Sequence, residues 1–206
     1  MLSFNIIQHT SNAQQKSCEG EDMVYFDSAR EDNTERTLQI TKDEALKRGI
    51  RYVVVASTSG NTGLRAAQIL QNTGIKLIVV AHSTGHRKAG QQLMDMEIKK
   101  QIENVGGIVF IGTDALTGFT HAMRERERFS EGTLISDTLR MFGQGMKVCV
   151  EIVAMASDAN LLPVDDVISV AGTAKGADTS VIIGANSTNQ FFSIKVREIL
   201  TKPRDY

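Results

Sequence analysis

Val53-Val-Val-Ala-Ser-Thr-Ser-Gly-Asn-Thr-Gly-Leu-Arg65 is the stretch on which the reading of this chain turns. Its apolar start reads as a buried strand, Arg51 to Ala56. A turn rich in hydroxyls and glycine follows, and then good helix formers from Leu64 to Leu70. A strand that runs through such a turn into a helix makes an anion site. Backbone N–H groups without helical partners gather at the helix start, and the helix dipole adds partial positive charge. Ser57, Thr58, Ser59 and Thr62 add hydroxyl donors, Asn61 opens the helix, and Gly60 is expected to let an anion approach the backbone closely. The turn is not a nucleotide-triphosphate loop, because no Gly-Lys-[Ser/Thr] follows it.

Strands and helices alternate outward from this stretch. Upstream, Val24 to Phe26 reads as a short strand. Asn33 or Thr34 is placed to cap a helix that runs to Arg48 and stops at Gly49, with Leu38, Ala45 and Leu46 on its inner face. Downstream, a helix over Asn61–Asn72 closes at Gly74, a strand covers Ile75–Ala81, a helix covers Gly90–Val105 and a strand covers Ile108–Ile111. Helices are then expected over Phe119–Phe129, Thr133–Phe142 and Met146–Asn160. The last of these rests on the helical spacing of Val148, Ile152, Met155 and Ala159. Strands at Val167–Ala171, Thr179–Ile183 and Phe191–Leu200 complete the pattern. Regular alternation with continuously apolar strands predicts an α/β fold: a mostly parallel central sheet between two helical layers. Residues 1–22 are polar and weakly patterned, and read as an N-terminal arm with a short strand at Phe4–Ile7. Residues 23–206 read as one domain.

Composition narrows the function classes. The 206 residues are 41% hydrophobic and 23% charged, with a formal net charge of -1. That balance argues against broad electrostatic binding to nucleic acid or an anionic membrane, and no apolar run is long enough to span a bilayer. The N-terminus lacks a signal-peptide pattern. Cys18 and Cys149 suggest neither a disulfide framework nor a zinc motif, so the expected setting is the cytoplasm. A homo-oligomer is left open.

In doubly wound sheets ligands bind where the strands end, and two further loops reach that edge. His82 to Gly90 carries two histidines four apart, followed by Arg87 and Lys88. Gly85 between the histidines suggests a loop, and no Cys or carboxylate flanks them closely, so no metal site is expected. Hydrogen bonding or stacking on a ligand by His82 or His86 is the reading instead. Gly172 to Ser180 carries Thr173, Lys175 and Asp178. Lys175 is placed to reach an anion, and Asp178 to fix the loop through backbone N–H groups. His121 and Thr117-Gly118 are expected to form a further wall. Met94, Met96, Met141, Met155 and Phe142 are expected in the core, and Arg124–Arg128 on a solvated face.

At this point the residues resemble a family. The Val53–Thr62 stretch followed by Leu77-Ile-Val-Val-Ala-His82, with Asp166-Val-Ile-Ser-Val-Ala-Gly172, resembles the C-terminal domain of pyruvate kinase. In that domain a Ser/Thr-rich loop of this form holds a phosphate of a sugar-bisphosphate activator. From Tyr25 to Arg204 the chain is also similar to a stand-alone, functionally uncharacterised prokaryotic family of the same fold. That likeness lies in Asn33-Thr-Glu, Leu139-Arg-Met, Lys147-Val-Cys-Val-Glu-Ile, Pro163-Val-Asp and Gly172-Thr-Ala-x-Gly-Ala-Asp-Thr. The resemblance implies a ligand the size of flavin mononucleotide (FMN), with its phosphate in the Ser57–Thr62 loop. The chain departs from that family's usual pattern at His86 and Lys175, where aromatic residues are common, and in a longer arm.

These observations lead to one expectation and two alternatives. Ser57, Thr58, Ser59, Gly60, Asn61 and Thr62 are expected to grip the phosphate of a small molecule such as FMN, with His82, Gly172, Thr173 and Lys175 lining the rest. One alternative is a regulatory module that senses a sugar phosphate without catalysis. The other is an enzyme acting on a phosphorylated substrate with His82 or His86 as base. No sequence feature assigns a reaction.

Overall fold

The computed structural model describes residues 23–123 and 130–206. The expected arm, its Phe4–Ile7 strand and the charged run Arg124–Arg128 lie outside the described residues. Among the described residues seven strands form one sheet: β1 (Val24–Ser28), β2 (Tyr52–Ala56), β3 (Lys76–His82), β4 (Ile108–Gly112), β5 (Asp166–Ala171), β6 (Thr179–Gly184) and β7 (Lys195–Asp205). Their spatial order is β1-β7-β6-β5-β2-β3-β4. Only β6 runs against the others, so the sheet is mostly parallel. The connection between β5 and β6 is a short hairpin. It has too few residues for a crossover, and antiparallel pairing is the result.

The interleaved helices are α1 (Asn33–Arg48), α2 (Asn61–Leu70), α3 (Met96–Asn104), α4 (Gly118–Met123), α5 (Glu131–Arg140) and α6 (Gln144–Asp158). Alternation along the buried strands divides the core in two. Val53, Val55, Leu77, Val79, Ile168 and Val170 face α1, α2 and α3. Val54, Ile78, Val80 and Val167 face α6, with its Met146, Val150, Val153 and Met155. The molecule is therefore a three-layer α/β/α structure, as the sequence predicts. At Gly63 a Cβ would stand 2.6 Å from a Val79 methyl, so α2 lies on the sheet at a distance that only glycine permits there.

Several local expectations are corrected. The inner face of α1 is Thr34, Thr37, Leu38, Thr41 and Ala45, all buried, whereas Leu46 is exposed. Three threonines at helical spacing mark that face as plainly as leucines would. Neither Asn33 nor Thr34 caps α1: Asn33 Nδ2 donates to the Ser28 carbonyl, and Thr34 Oγ1 accepts from Ala177 N–H in a distant loop. α2 ends at Leu70, and Asn72 takes a positive φ of 62°. α3 begins only at Met96, where Asp95 accepts from Glu97 and Ile98 N–H; residues 83–95 form an irregular loop. Met94 and Met155 are in the core, but Met96, Met141 and Phe142 are exposed, the last two on the turn between α5 and α6. The last strand starts at Lys195 and runs on to Asp205. Phe191 and Phe192 belong to a 3₁₀ turn, Thr188–Ser193. Pro203 does not end the strand, because β6 pairs with it no further than Thr201.

Candidate functional site

The chain order sets a switch point. From β2 the chain winds outward through β3 to β4, then returns across the sheet to β5 on the other side of β2. Loops leaving the carboxyl ends of β2 and β5 therefore part from one another and open a crevice, where doubly wound sheets take ligands. A cavity of about 780 Å³ lies there. It is lined by the loop after β2, the end of β3, the loop after β4, the β5–β6 hairpin and one face of α6.

The loop after β2 begins with Ser57, whose N–H donates to the Val80 carbonyl and whose buried Oγ accepts from Gly63 N–H at 3.1 Å. Ser57 thus caps α2 from outside the helix, while Leu64 N–H closes on the Gly60 carbonyl. Among the described residues, the N–H groups of Thr58, Ser59, Gly60, Asn61 and Thr62 meet no protein acceptor. Five consecutive unmatched donors at a helix start suit a bound anion. Ser57, Thr58, Ser59, Asn61 and Thr62 line the cavity; Gly60 does not. Gly60 has a φ of 101°, and a Cβ there would stand 2.6 Å from Ile98 Cγ2 and 3.0 Å from Met94 Sδ. Its hydrogen side faces α3 and the core. Gly60 is therefore required by its backbone conformation and by packing against α3, while its N–H stays among the unmatched donors.

The hairpin after β5 supplies Gly172, Thr173 and Lys175, all of which line the cavity. Asp178, buried, accepts from Thr173 N–H at 3.0 Å and from Thr179 Oγ1 at 2.6 Å, the fixing role expected of it. Thr34 holds the other limb of the hairpin through Ala177 N–H. Two buried anchors thus set a loop whose tip, Lys175, is exposed.

His82 is the last residue of β3, on the same side of the sheet as Ile78 and Val80, so it faces the α6 layer. Its register partner on β4 is Gly112, which brings Asp114, just beyond β4, alongside it. His82 Nδ1 lies 3.0 Å from Asp114 Oδ1 and His86 Nδ1 3.7 Å from Oδ2. The two imidazoles stack on each other, centroids 3.8 Å apart and planes 13° from parallel. Burial pushes the Asp114 carboxyl up, but the His82 hydrogen bond and the nearby His82, His86 and Lys147 charges outweigh it, so the group is held below the usual carboxylate range.

Sequence reasoning missed Asp114, Lys147 and Glu151. Lys147 and Glu151 form a buried ion pair one turn apart on α6, and Glu151 Oε1 also accepts from Leu116 N–H at 3.0 Å. This ties the loop that carries Asp114 to the helix beneath it. The available signal was two charges four apart on a helix face otherwise made of Val, Ile and Met. Asp114 had a fainter one, a carboxylate just past the strand beside the His82 strand. Thr117 lines the cavity too, while the side chain of His121 lies outside the described residues. Overall, Arg65, Arg87, Arg140, Lys147 and Lys175 face Glu31, Asp114 and Glu151, an excess of positive charge.

No protein-family model matches the chain. Among solved structures it is similar to a pyruvate kinase from Cryptosporidium parvum, at 12% identity and a TM-score of 0.40, over 74% of this chain and 23% of that one. It is also similar to an O-ureido-L-serine synthase, at 20% identity and a TM-score of 0.29, over 55% of this chain and 30% of that one. A hydrogen sulfide-producing enzyme from Fusobacterium nucleatum matches at 21% identity and a TM-score of 0.30, over 50% of this chain and 32% of that one. The chain thus spans no more than about a third of the length of these enzymes.

Proposed function

We propose that this protein binds a phosphorylated small molecule, with its phosphate on the loop from Ser57 to Thr62 and FMN as the first ligand to test. The observation that carries the reading is the run of unmatched N–H donors from Thr58 to Thr62 at the switch point of the sheet. The cavity volume of about 780 Å³ supports it, within the range of roughly 300–1,000 Å³ common for such ligands. So does the excess of basic side chains around it. FMN itself comes from the resemblance to the stand-alone prokaryotic family; bound there, it would supply redox chemistry that the side chains lack. No helix among the described residues is long and apolar enough to cross a membrane, and the scarcity of cysteine fits a cytoplasmic setting.

The test is a comparison of FMN with riboflavin, its dephosphorylated form, by calorimetric titration of the full chain. A phosphate held by charge-assisted hydrogen bonds contributes about 1.5–3 kcal/mol, so FMN should bind at least about tenfold tighter. Equal affinity would remove the phosphate loop from the reading.

One observation favours a second ligand class. Part of the wall beyond the phosphate loop is polar: Thr173, Lys175, Gln144 and two histidines that already stack on each other stand beside the apolar Leu93, Val148, Ile152 and Met155. The polar part suits the hydroxyls of a sugar phosphate, the ligand a metabolite-sensing module would take. Fructose bisphosphate in the same titration separates the two, because a sensor of this kind would bind it and leave FMN unbound.

A further inference from the structure

We propose that His82, His86 and Asp114 form a binding site for a divalent transition-metal ion inside this cavity. The sequence argued against a metal because no carboxylate flanks the histidines. The fold supplies one from the neighbouring strand: β3 pairs with β4, His82 stands opposite Gly112, and Asp114 follows two residues later. His86 returns from the irregular loop to complete the group. All three donor atoms lie within 4.8 Å of one another.

The spacing is close to what an ion needs. Ligands at about 2.0–2.1 Å from a tetrahedral metal sit roughly 3.3 Å from each other. The two nitrogen-to-oxygen separations here, 3.0 and 3.7 Å, bracket that value. Both imidazoles turn Nδ1 toward the same carboxylate. An imidazole ligates in its own ring plane, so binding an ion requires the two rings, now 13° from parallel, to rotate out of their stack. Two imidazoles and a carboxylate form a donor set suited to Zn²⁺, Fe²⁺ or Co²⁺ and ill suited to Mg²⁺ or Ca²⁺, which prefer all-oxygen shells.

The surroundings support the set. The loop bearing Asp114 is held by Leu116 N–H on Glu151, a fixed second layer of the kind that orients metal ligands. The nearest buried cation, Lys147, is paired with that same Glu151, so its charge is offset locally. Three protein ligands leave at least one coordination position open, as in catalytic rather than structural sites. His82, His86 and Asp114 line the same cavity as the Ser57–Thr62 loop. The open position would accordingly take an oxygen of whatever the cavity holds. The metal site itself stands independently of the phosphate reading, because it is measured with no phosphorylated ligand present.

The experiment uses the full chain, stripped with chelator and titrated with Zn²⁺ by calorimetry, with the visible absorption of Co²⁺ as a second readout. One ion should bind with a Kd below about 10 µM, and His86→Gln and Asp114→Asn should each weaken it at least about tenfold. Thermal unfolding of the metal-free variants checks that they fold. If Asp114→Asn does not, His86→Gln, on an exposed loop, carries the test alone. Absence of saturable binding overturns the proposal, as does a His86→Gln affinity equal to that of the parent.

Discussion

Gly60 at the head of α2 and Ile98 in α3 pack so closely that a Cβ on Gly60 would stand 2.6 Å from Ile98 Cγ2. The φ of 101° adds a backbone penalty for any side chain. Left-handed strain and overpacking together predict that Gly60→Ala loses about 2–4 kcal/mol of stability. Urea unfolding measures it. A loss under about 0.5 kcal/mol, the range of neutral surface substitutions, would show that α3 yields easily.

Lys175 sits at the exposed tip of the β5–β6 hairpin, with its anchors Asp178 and Thr34 behind it. Lys175→Glu should therefore leave the urea midpoint unchanged while weakening FMN or fructose bisphosphate, whichever binds, about tenfold or more. The loss should shrink as salt is raised. Unchanged affinity would place the ligand away from the hairpin.

Glu44 is buried in α1, where Arg48 Nε approaches to 2.5 Å and Lys47 Nζ to 3.3 Å, and Arg48 reaches on to Glu198 in β7 at 2.7 Å. Burial pushes the Glu44 carboxyl up, but its hydrogen bonds to Arg48 and Lys47 more than offset this, and the net direction is down. The unfolded chain then binds the proton at a higher pH than the folded one. The stabilisation is present above the ordinary carboxylate range and is lost as pH falls through the lower, folded value. Glu44→Gln should flatten the acid limb of stability against pH. Parallel acid limbs in variant and parent would mean that Glu44 plays no part in it.

Cys149 is fully buried in α6, and burial pushes its thiol up to about 12. In a Cys18→Ser background it should resist a thiol reagent at neutral pH, since the thiolate is the reactive form. Labelling should proceed only at the rate of global unfolding. Fast labelling of the native protein would mean that α6 opens locally.

The layers of the fold were legible because its parallel strands are buried on both faces and write themselves as Val53-Val-Val and Leu77-Ile-Val-Val. The Ser57–Thr62 turn was legible because a strand, a turn and a helix follow one another without interruption. What could not be read lay in contacts between distant segments. Asp114 meets His82 only through the β3–β4 register, and Thr34 leaves the cap of its own helix to hold Ala177. The packing requirement at Gly60 was hidden for the same reason: its environment is α3, which the local sequence does not mention. Phe192, Ile194 and Val196 alternate as a strand would, yet the ladder with β6 begins only at Lys195.

The pairing of β1 with β7, Val24 beside Thr201 and Phe26 beside Pro203, bears on how the chain is made. Among the described elements β1 is made before, and β7 after, all the others, so β1 waits through the synthesis of each of them before its neighbour emerges. Until then β6 also lacks its outer partner, and two strand edges stay open to other nascent chains. Completion of the sheet therefore waits for β7, and a stalled chain ending before Lys195 would leave β1 and the outer edge of β6 unpaired.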